Sequence, residues 1–143
     1  MNKKLFKSIG AILAGFVSVF ALSYGTDAVL VAAGLMPEGA LPIYGSELLI
    51  LSILVYRSLY NVAGSYLVAR LAPDQPMRHV LILGALGLLG SIAGAIFARD
   101  LAPAWYSWGL VALTPPCVWI GGKLALRSKK AALAQVSPLA NPE

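Results

Sequence analysis

Charged residues are scarce in this sequence: Asp, Glu, Lys and Arg together make up 12% of its 143 residues. A soluble domain carries roughly 25%, so this chain has too few charges to cover a surface that faces water. Apolar residues reach 59% of the chain and the mean hydropathy is +0.79. The composition therefore excludes an ordinary soluble domain and predicts a single integral membrane domain.

Cysteine and histidine are nearly absent, with Cys117 and His79 the single residue of each type. One cysteine cannot form an intramolecular disulfide, and the two residues are too few for a zinc site of Cys and His ligands. We expect His79 at a membrane surface and Cys117 well inside, too far apart for a nucleophile–base pair. The sequence therefore predicts no catalytic residues, no metal and no cofactor, and an enzyme is the function that it favours least.

Four apolar runs are separated by short connections that contain proline, glycine or charged residues. At 1.5 Å rise per residue, each run is long enough to cross a hydrocarbon core of ~30 Å. The sequence predicts an all-α membrane protein in which residues 1–126 form a four-transmembrane-helix bundle, with spans at about 8–35, 47–71, 79–98 and 103–124. A basic, disordered tail is expected at 127–143. The apolar character of the first run continues past a possible signal-peptide cleavage site at residues 21–23, so we expect this span to be retained.

Basic residues are concentrated in three places: before the first span, around the middle connection and after the last span. Nine of the eleven are Lys3, Lys4, Lys7, Arg70, Arg78, Lys123, Arg127, Lys129 and Lys130. By the positive-inside rule, this distribution predicts that both termini are cytoplasmic. Because the charges border apolar spans, we expect the lipid bilayer as partner and no nucleic acid. The segment 127–130 either sets the topology or rests on anionic lipid headgroups.

Two charged residues interrupt the apolar runs far from their ends, Asp27 in the first and Arg57 in the second. Counted from the connection between these runs, their depths differ by only ~3 Å at 1.5 Å per residue. A lone charge at the centre of a bilayer costs at least ~2.5–3.5 kcal/mol on insertion scales. The sequence therefore predicts an intramembrane ion pair between Asp27 and Arg57.

Hydroxyl and amide groups surround the predicted ion pair, and they are more numerous than one pair needs. They belong to Tyr24, Tyr56, Tyr60 and Asn61. One interpretation is a polar cavity that serves transport, permeation or ligand binding. The other is a clamp that only sets the register of the first two spans. The surplus of polar groups favours the cavity.

Small residues form a stripe on the first span and another on the third. The first stripe contains Ala14, Ser18, Ala21, Gly25 and Ala28, and the second contains Gly84, Gly87, Ser91 and Gly94. Such stripes allow the backbones of membrane helices to approach closely. We expect the two stripes to pack against each other, with the first helix central in the bundle. The alternative is that they form a homo-oligomer or a larger membrane complex, in which this protein is an accessory or assembly subunit.

The fourth span combines an aromatic start with a proline pair. Trp105, Tyr106 and Trp108 are typical of a membrane interface. Pro115 and Pro116 remove two backbone donors near the middle of the span, so the sequence predicts a kink or a break there. A broken helix could expose its carbonyl groups to the polar cavity.

Several short sequences distributed over all four spans form a recognisable set. They are Thr26-Asp27-Ala28-Val29-Leu30, Tyr56-Arg57 with Tyr60, Ala69-Arg70-Leu71-Ala72-Pro73, Pro76-Met77-Arg78-His79, Ala104-Trp105-Tyr106, and Pro116-Cys117 with Trp119 and Gly121-Gly122-Lys123. With them the chain resembles a family of small, uncharacterised four-span proteins of the bacterial inner membrane. The resemblance implies the four-helix fold and an inner-membrane location. It implies no activity, ligand or partner.

Overall fold

The computed structural model describes residues 2–38 and 45–137. All regular structure in these two ranges is helical, and it comprises α1 (Lys3–Ala32), α2 (Glu47–Leu71), α3 (Pro76–Phe97) and α4 (Ala104–Val136). Each helix is long and apolar enough to cross a membrane. The protein is therefore an all-α, multi-pass membrane protein.

The helix bounds follow the expected spans, with differences at several ends. α2 has the expected bounds, α1 starts five residues early at Lys3, and α3 starts three residues early at Pro76. Apolar patterning marks the part of a helix suited to lipid, whereas the helix itself continues into the polar flanks as long as good helix formers follow. The predicted loop at 36–46 includes residues 39–44, which lie outside the described residues.

Local sequence explains how the helices begin and end. α1 stops at a glycine cap: Gly34 has φ +72°, and the Leu35 amide donates to the Leu30 carbonyl at 2.9 Å, as in a Schellman motif. The Ser46 hydroxyl caps α2 by accepting from the Leu49 amide at 3.3 Å, because the first amides of a helix have no partner within it. Pro76 opens α3, where its missing N–H costs nothing.

The centre of the bundle is the contact between α2 and α4, which is more extensive than any other helix pair. A Cβ atom added to Gly121 would clash with the Val62 carbonyl oxygen and lie 2.8 Å from the Ser65 Cβ. One added to the adjacent Gly122 would lie 2.8 Å from the Met77 sulfur. The two glycines therefore allow α4 to pack directly against the backbone of α2 and the start of α3.

Most of the small-residue stripe of α1 faces away from the bundle, which corrects the expected pairing with α3 and the expected central position of α1; Ala14 and Ser18 are partly buried. Ala21, Gly25 and Ala28 are exposed, and a Cβ atom on Gly25 would have no neighbour within 4 Å. Gly25 is two residues from Asp27, which places it about 200° away around the helix axis. Burial of the Asp27 carboxylate turns this stripe to the outside.

α1 contacts α2 through a different small residue, Gly15. A Cβ atom on Gly15 would lie 3.0 Å from the Gly64 carbonyl oxygen, and one on Gly64 would lie 3.1 Å from the Gly15 carbonyl oxygen. Gly15 and Asp27 are both buried. The close helix contact and the charged site therefore both lie where α1 packs against α2.

The small-residue stripe of α3 faces α4 at one end and open space at the other. A Cβ atom on Gly84 would lie 2.8 Å from Val118, and one on Gly87 would lie 3.7 Å from Thr114. Farther along the stripe, Ser91 is partly buried, and a Cβ atom on Gly94 would have no neighbour within 4 Å. The predicted stripe is thus a packing surface only in its first half.

The expectation of a disordered tail is wrong for residues 127–136, which continue α4. This segment is rich in alanine, leucine, lysine and arginine, which are strong helix formers. It is also attached to α2, because the Lys129 ammonium donates to the Ala69 carbonyl at 2.9 Å and the Tyr66 hydroxyl donates to Ser128 at 3.4 Å. Residues 138–143 lie outside the described residues.

Two apolar clusters fill opposite ends of the bundle. At the loop end, where the α1–α2 and α3–α4 connections lie, the cluster contains Met36, Ile50, Ile53, Leu54, Ala102 and Tyr106. At the terminal end, where α1 starts and α2 connects to α3, it contains Val68, Ala69, Val80, Leu83, Val118 and Ala125. The polar residues singled out from the sequence lie between these clusters.

Candidate functional site: an intramembrane polar cluster beside a cavity

The predicted ion pair is present. The Arg57 Nη2 donates to the Asp27 Oδ2 at 2.7 Å, which is the short distance expected when both groups are charged. The Asp27 side chain is 5% exposed and the Arg57 side chain 23%. The pair therefore joins α1 to α2 at a depth where neither charge has easy access to water.

Two tyrosines of α2 form further hydrogen bonds to α1. The Tyr56 hydroxyl donates to the Asp27 Oδ1, so both carboxylate oxygens accept a hydrogen bond from α2. One helical turn away, the Tyr60 and Thr26 hydroxyls are 2.6 Å apart and hydrogen-bonded. The rings of Tyr56 and Tyr60 pack with their centroids 5.6 Å apart. Tyr56 is thus bonded to the ion pair itself, and Tyr60 to Thr26, the residue before Asp27.

Tyr106 of α4 belongs to the site, although the sequence placed it with the interfacial tryptophans. The Arg57 Nη1 donates to the Tyr106 hydroxyl at 2.8 Å, and Tyr106 is only 3% exposed, whereas Trp105 and Trp108 are exposed. The sequence contains a signal for this role: Tyr106, Thr114, Cys117, Gly121 and Ala125 follow helical spacing on the buried face of α4.

Tyr24 and Asn61, the remaining predicted residues, are not bonded to the ion pair. Tyr24 is 66% exposed and its ring stacks on Phe20 with centroids 6.3 Å apart. Asn61 is partly buried, and no hydrogen bond to its side-chain amide occurs among the described residues. Both residues instead line a cavity.

The cavity has a volume of about 480 Å³ and extends between α1 and α3, with α2 and α4 behind it. This volume is within the ~300–1,000 Å³ of small-molecule sites. Asp27, Arg57 and Tyr106 lie on its wall together with Asn61. The charged cluster is therefore beside a space that a molecule could occupy, rather than enclosed by packed side chains.

The shape of the cavity follows from how α1 and α3 diverge. Near the terminal end they are close, because a Cβ atom on Gly15 would lie 3.6 Å from Leu83. Toward the loop end, Gly90 and Gly94 have no neighbour within 4 Å of an added Cβ. Phe20 and Leu86, which also line the cavity, are about half exposed. The space between the two helices is therefore a cleft, open sideways on the outer surface of the bundle.

The proline pair does not interrupt the fourth helix. α4 continues as one helix through Pro115 and Pro116, so a break at this point is excluded, while a kink stays a prediction. Both prolines are exposed, and it is the neighbouring Thr114 that lines the cavity. Its hydroxyl donates to the Leu110 carbonyl within α4 at 2.7 Å.

Within the two described ranges, no group of three His, Cys, Asp or Glu side chains is placed to hold a metal ion. The chemistry that the cavity offers is a guanidinium paired with a carboxylate, hydroxyl groups and an amide, set in apolar walls. Family models, curated proteins and solved structures were compared with this chain, and none matches.

Proposed function

We propose that this protein binds a small molecule inside the membrane, in the cleft between α1 and α3, as a transport, permeation or ligand-binding protein. The observation that carries the proposal is the position of the Asp27–Arg57 pair on the wall of a 480 Å³ cavity. A purely structural clamp gains nothing from an adjacent cavity, since voids remove packing contacts. Charged residues inside a membrane commonly mark substrate or ion pathways.

Substitution of Gly94 by leucine is expected to prevent occupancy of the cleft. Gly94 lines the cavity and a Cβ atom there meets no other atom within 4 Å, so a larger side chain fits without clash and fills the space. Gly25→Leu is the matched control, because Gly25 is equally open but does not line the cavity. Native mass spectrometry of protein purified in mild detergent should show a retained small molecule on the wild type and on Gly25→Leu, but not on Gly94→Leu. Equal occupancy in all three proteins would contradict the proposal, as would its absence from the wild type.

A second candidate function is that of an accessory subunit, and the exposed small residues of α1 favour it. Ala21, Gly25 and Ala28 form an open stripe on the outside of the bundle, of the kind that binds another membrane helix. The same two variants separate the candidates. A subunit that binds through α1 should lose its partner or its self-association in Gly25→Leu, which size-exclusion chromatography with light scattering would detect, and Gly94→Leu should leave it intact.

We further propose that the protein lies in a bacterial inner membrane with both termini in the cytoplasm. The basic flanks meet at one end of the bundle, where Lys4 is 3.1 Å from Asp74 and Lys129 contacts Ala69. Lys123 lies over the Trp119 ring, 5.1 Å from its centroid, as is common at a membrane interface. These contacts support a single cytoplasmic surface at the terminal end.

Labelling of engineered cysteines is expected to report this orientation. In a Cys117→Ala background, a membrane-impermeant maleimide should label Gly45→Cys in intact cells, because Gly45 lies at the loop end. Ser137→Cys, at the end of α4, should react only after the cells are permeabilised. The Cys117→Ala protein without a new cysteine is the control for background labelling. Labelling of Ser137→Cys in intact cells would contradict the proposed topology.

A further inference from the structure

We propose that the ligand of the cleft is an anionic amphiphile, with a carboxylate or phosphate head beside Arg57 and an alkyl chain between α1 and α3. The inference rests on the proposed function and specifies the chemical class of ligand. Three features of the described residues carry it: the charge that the cavity presents, the free hydrogen-bonding groups beside that charge, and the apolar cleft that leads away from it.

The cavity presents the cation of the ion pair more than the anion. The Arg57 side chain is 23% exposed, whereas that of Asp27 is 5% exposed. Both oxygens of Asp27 already accept hydrogen bonds, from Tyr56 and from Arg57. A molecule in the cavity therefore meets more of the guanidinium than of the carboxylate, which lies on the same wall, and the pair has no net charge.

The Arg57 guanidinium has donors left over. It carries five N–H groups, and among the described residues its hydrogen bonds go to Asp27 and Tyr106. Its Nε has no partner there either but is fully buried, so the donors left for a ligand are the remaining Nη hydrogens. Arginine suits planar or tetrahedral oxyanions because its N–H groups form a rigid fork. The unused donors match a carboxylate or a phosphate.

Neutral polar groups lie on the same wall. The amide of Asn61 and the hydroxyls of Ser23 and Ser107 line the cavity, and none of them makes a side-chain hydrogen bond to another described residue. Donors of this kind contribute to binding an oxyanion without adding net charge. Their position next to Arg57 defines one polar end of an otherwise apolar space.

The rest of the cavity suits an alkyl chain. Phe16 and Phe20 pack against each other along α1 with ring centroids 4.7 Å apart and their planes tilted by 41°. The α3 residues on the wall run from Leu83 to Ala95, about 18 Å of helix at 1.5 Å per residue. One leaflet of the hydrocarbon core is about 15 Å thick, half of ~30 Å. A lipid-like chain can therefore lie along the cleft and enter it sideways from the bilayer.

The test compares molecules that share a twelve-carbon chain and differ in the head. Purified protein in dodecyl maltoside is titrated with dodecyl phosphate, dodecanoate, dodecanol and dodecyltrimethylammonium, and bound molecules are counted by native mass spectrometry. We expect the two anions to bind at least ten times more tightly than dodecanol or the cation. In Asp27→Asn/Arg57→Gln, which replaces the pair with uncharged side chains of similar size, we expect this preference to disappear while dodecanol binding is unchanged.

The possible results separate the inference from the function on which it rests. Equal binding of all four heads would overturn the anionic head group and leave the proposed cleft function standing. If none of the four binds the wild type, the anionic amphiphile is overturned, and the proposed cleft function is decided separately by the occupancy of the wild type and of Gly94→Leu. If inorganic phosphate competes as well as dodecyl phosphate, the alkyl chain does not contribute to binding, and the proposal that the ligand is an amphiphile is overturned. Because these comparisons use the wild type, they do not depend on folding of the double variant.

A further arm identifies the source of the ligand. Displacement of dodecyl phosphate by phosphatidylglycerol would support a two-chain membrane lipid as the natural anion. Displacement by dodecanoate but not by phosphatidylglycerol would support a free single-chain acid. Both results uphold the shared chemistry of an oxyanion head and an alkyl chain.

Discussion

Replacement of Arg57 by glutamine is expected to destabilise the bundle by about 3–5 kcal/mol, the range for removal of one partner of a buried ion pair. The change leaves the Asp27 carboxylate with Tyr56 as its remaining donor among the described residues. In the bilayer, little water is available to solvate this charge. Equilibrium unfolding in mixed micelles of dodecyl maltoside and sodium dodecyl sulfate measures the difference from the wild type.

A double variant distinguishes loss of the pair from loss of packing. Asp27→Asn/Arg57→Gln removes both charges and keeps side chains of similar size, so it should be clearly more stable than Arg57→Gln alone. A double variant no more stable than the single one would show that the charge of Asp27 is not what destabilises Arg57→Gln.

Smaller changes in the same cluster should have graded effects. Tyr106→Phe deletes one hydrogen bond to a charged group, which contributes about 1.5–3 kcal/mol. Tyr24→Phe is its matched control, because Tyr24 is 66% exposed and makes no side-chain hydrogen bond among the described residues, so its change should stay within about 0.5 kcal/mol. Equal effects of the two tyrosine variants would contradict a specific role for Tyr106.

Addition of a single methyl group at Gly121 is expected to cost about 1–3 kcal/mol, and Gly121→Leu should prevent folding. The added Cβ clashes with the Val62 carbonyl oxygen and lies 3.1 Å from the Tyr66 amide nitrogen. These are backbone atoms of α2, which cannot rotate away as a side chain can. The two central helices would have to separate, and overpacking of this kind typically costs that much.

Two other glycines provide the comparison for Gly121. Gly94→Ala adds the same methyl group where no atom lies within 4 Å, so it should be neutral or slightly stabilising, since alanine is the better helix former. Gly64→Ala meets mainly the Val19 side chain, which can move, so its cost should be intermediate. The same unfolding assay ranks the three alanine variants, and Gly121→Ala as the mildest of them would refute a close α2–α4 contact.

Chain properties that depend on composition and spacing could be predicted from the sequence. The four spans follow from apolar runs of bilayer length, since each must satisfy its backbone hydrogen bonds internally. The Asp27–Arg57 pair follows from similar depths in consecutive helices and from the cost of an unpaired charge in lipid. Both arguments need only distances along the chain, so both could be made without coordinates.

Properties that depend on helix rotation and neighbours required the tertiary structure. Small residues permit close approach on any face, so a stripe such as Ala21, Gly25 and Ala28 does not identify the helix it contacts. Burial of Asp27 turned that stripe outward, and the close contacts formed instead at Gly15 and Gly121.

What the sequence by itself determined is the class of protein, four apolar helices with one buried ion pair between the first two. Only the tertiary structure placed Tyr106 against Arg57 and opened a cleft between α1 and α3. The physical reason is that the depth of a residue in the membrane follows from its distance along its own helix. Contacts between helices that are distant in sequence depend on how all four helices pack together.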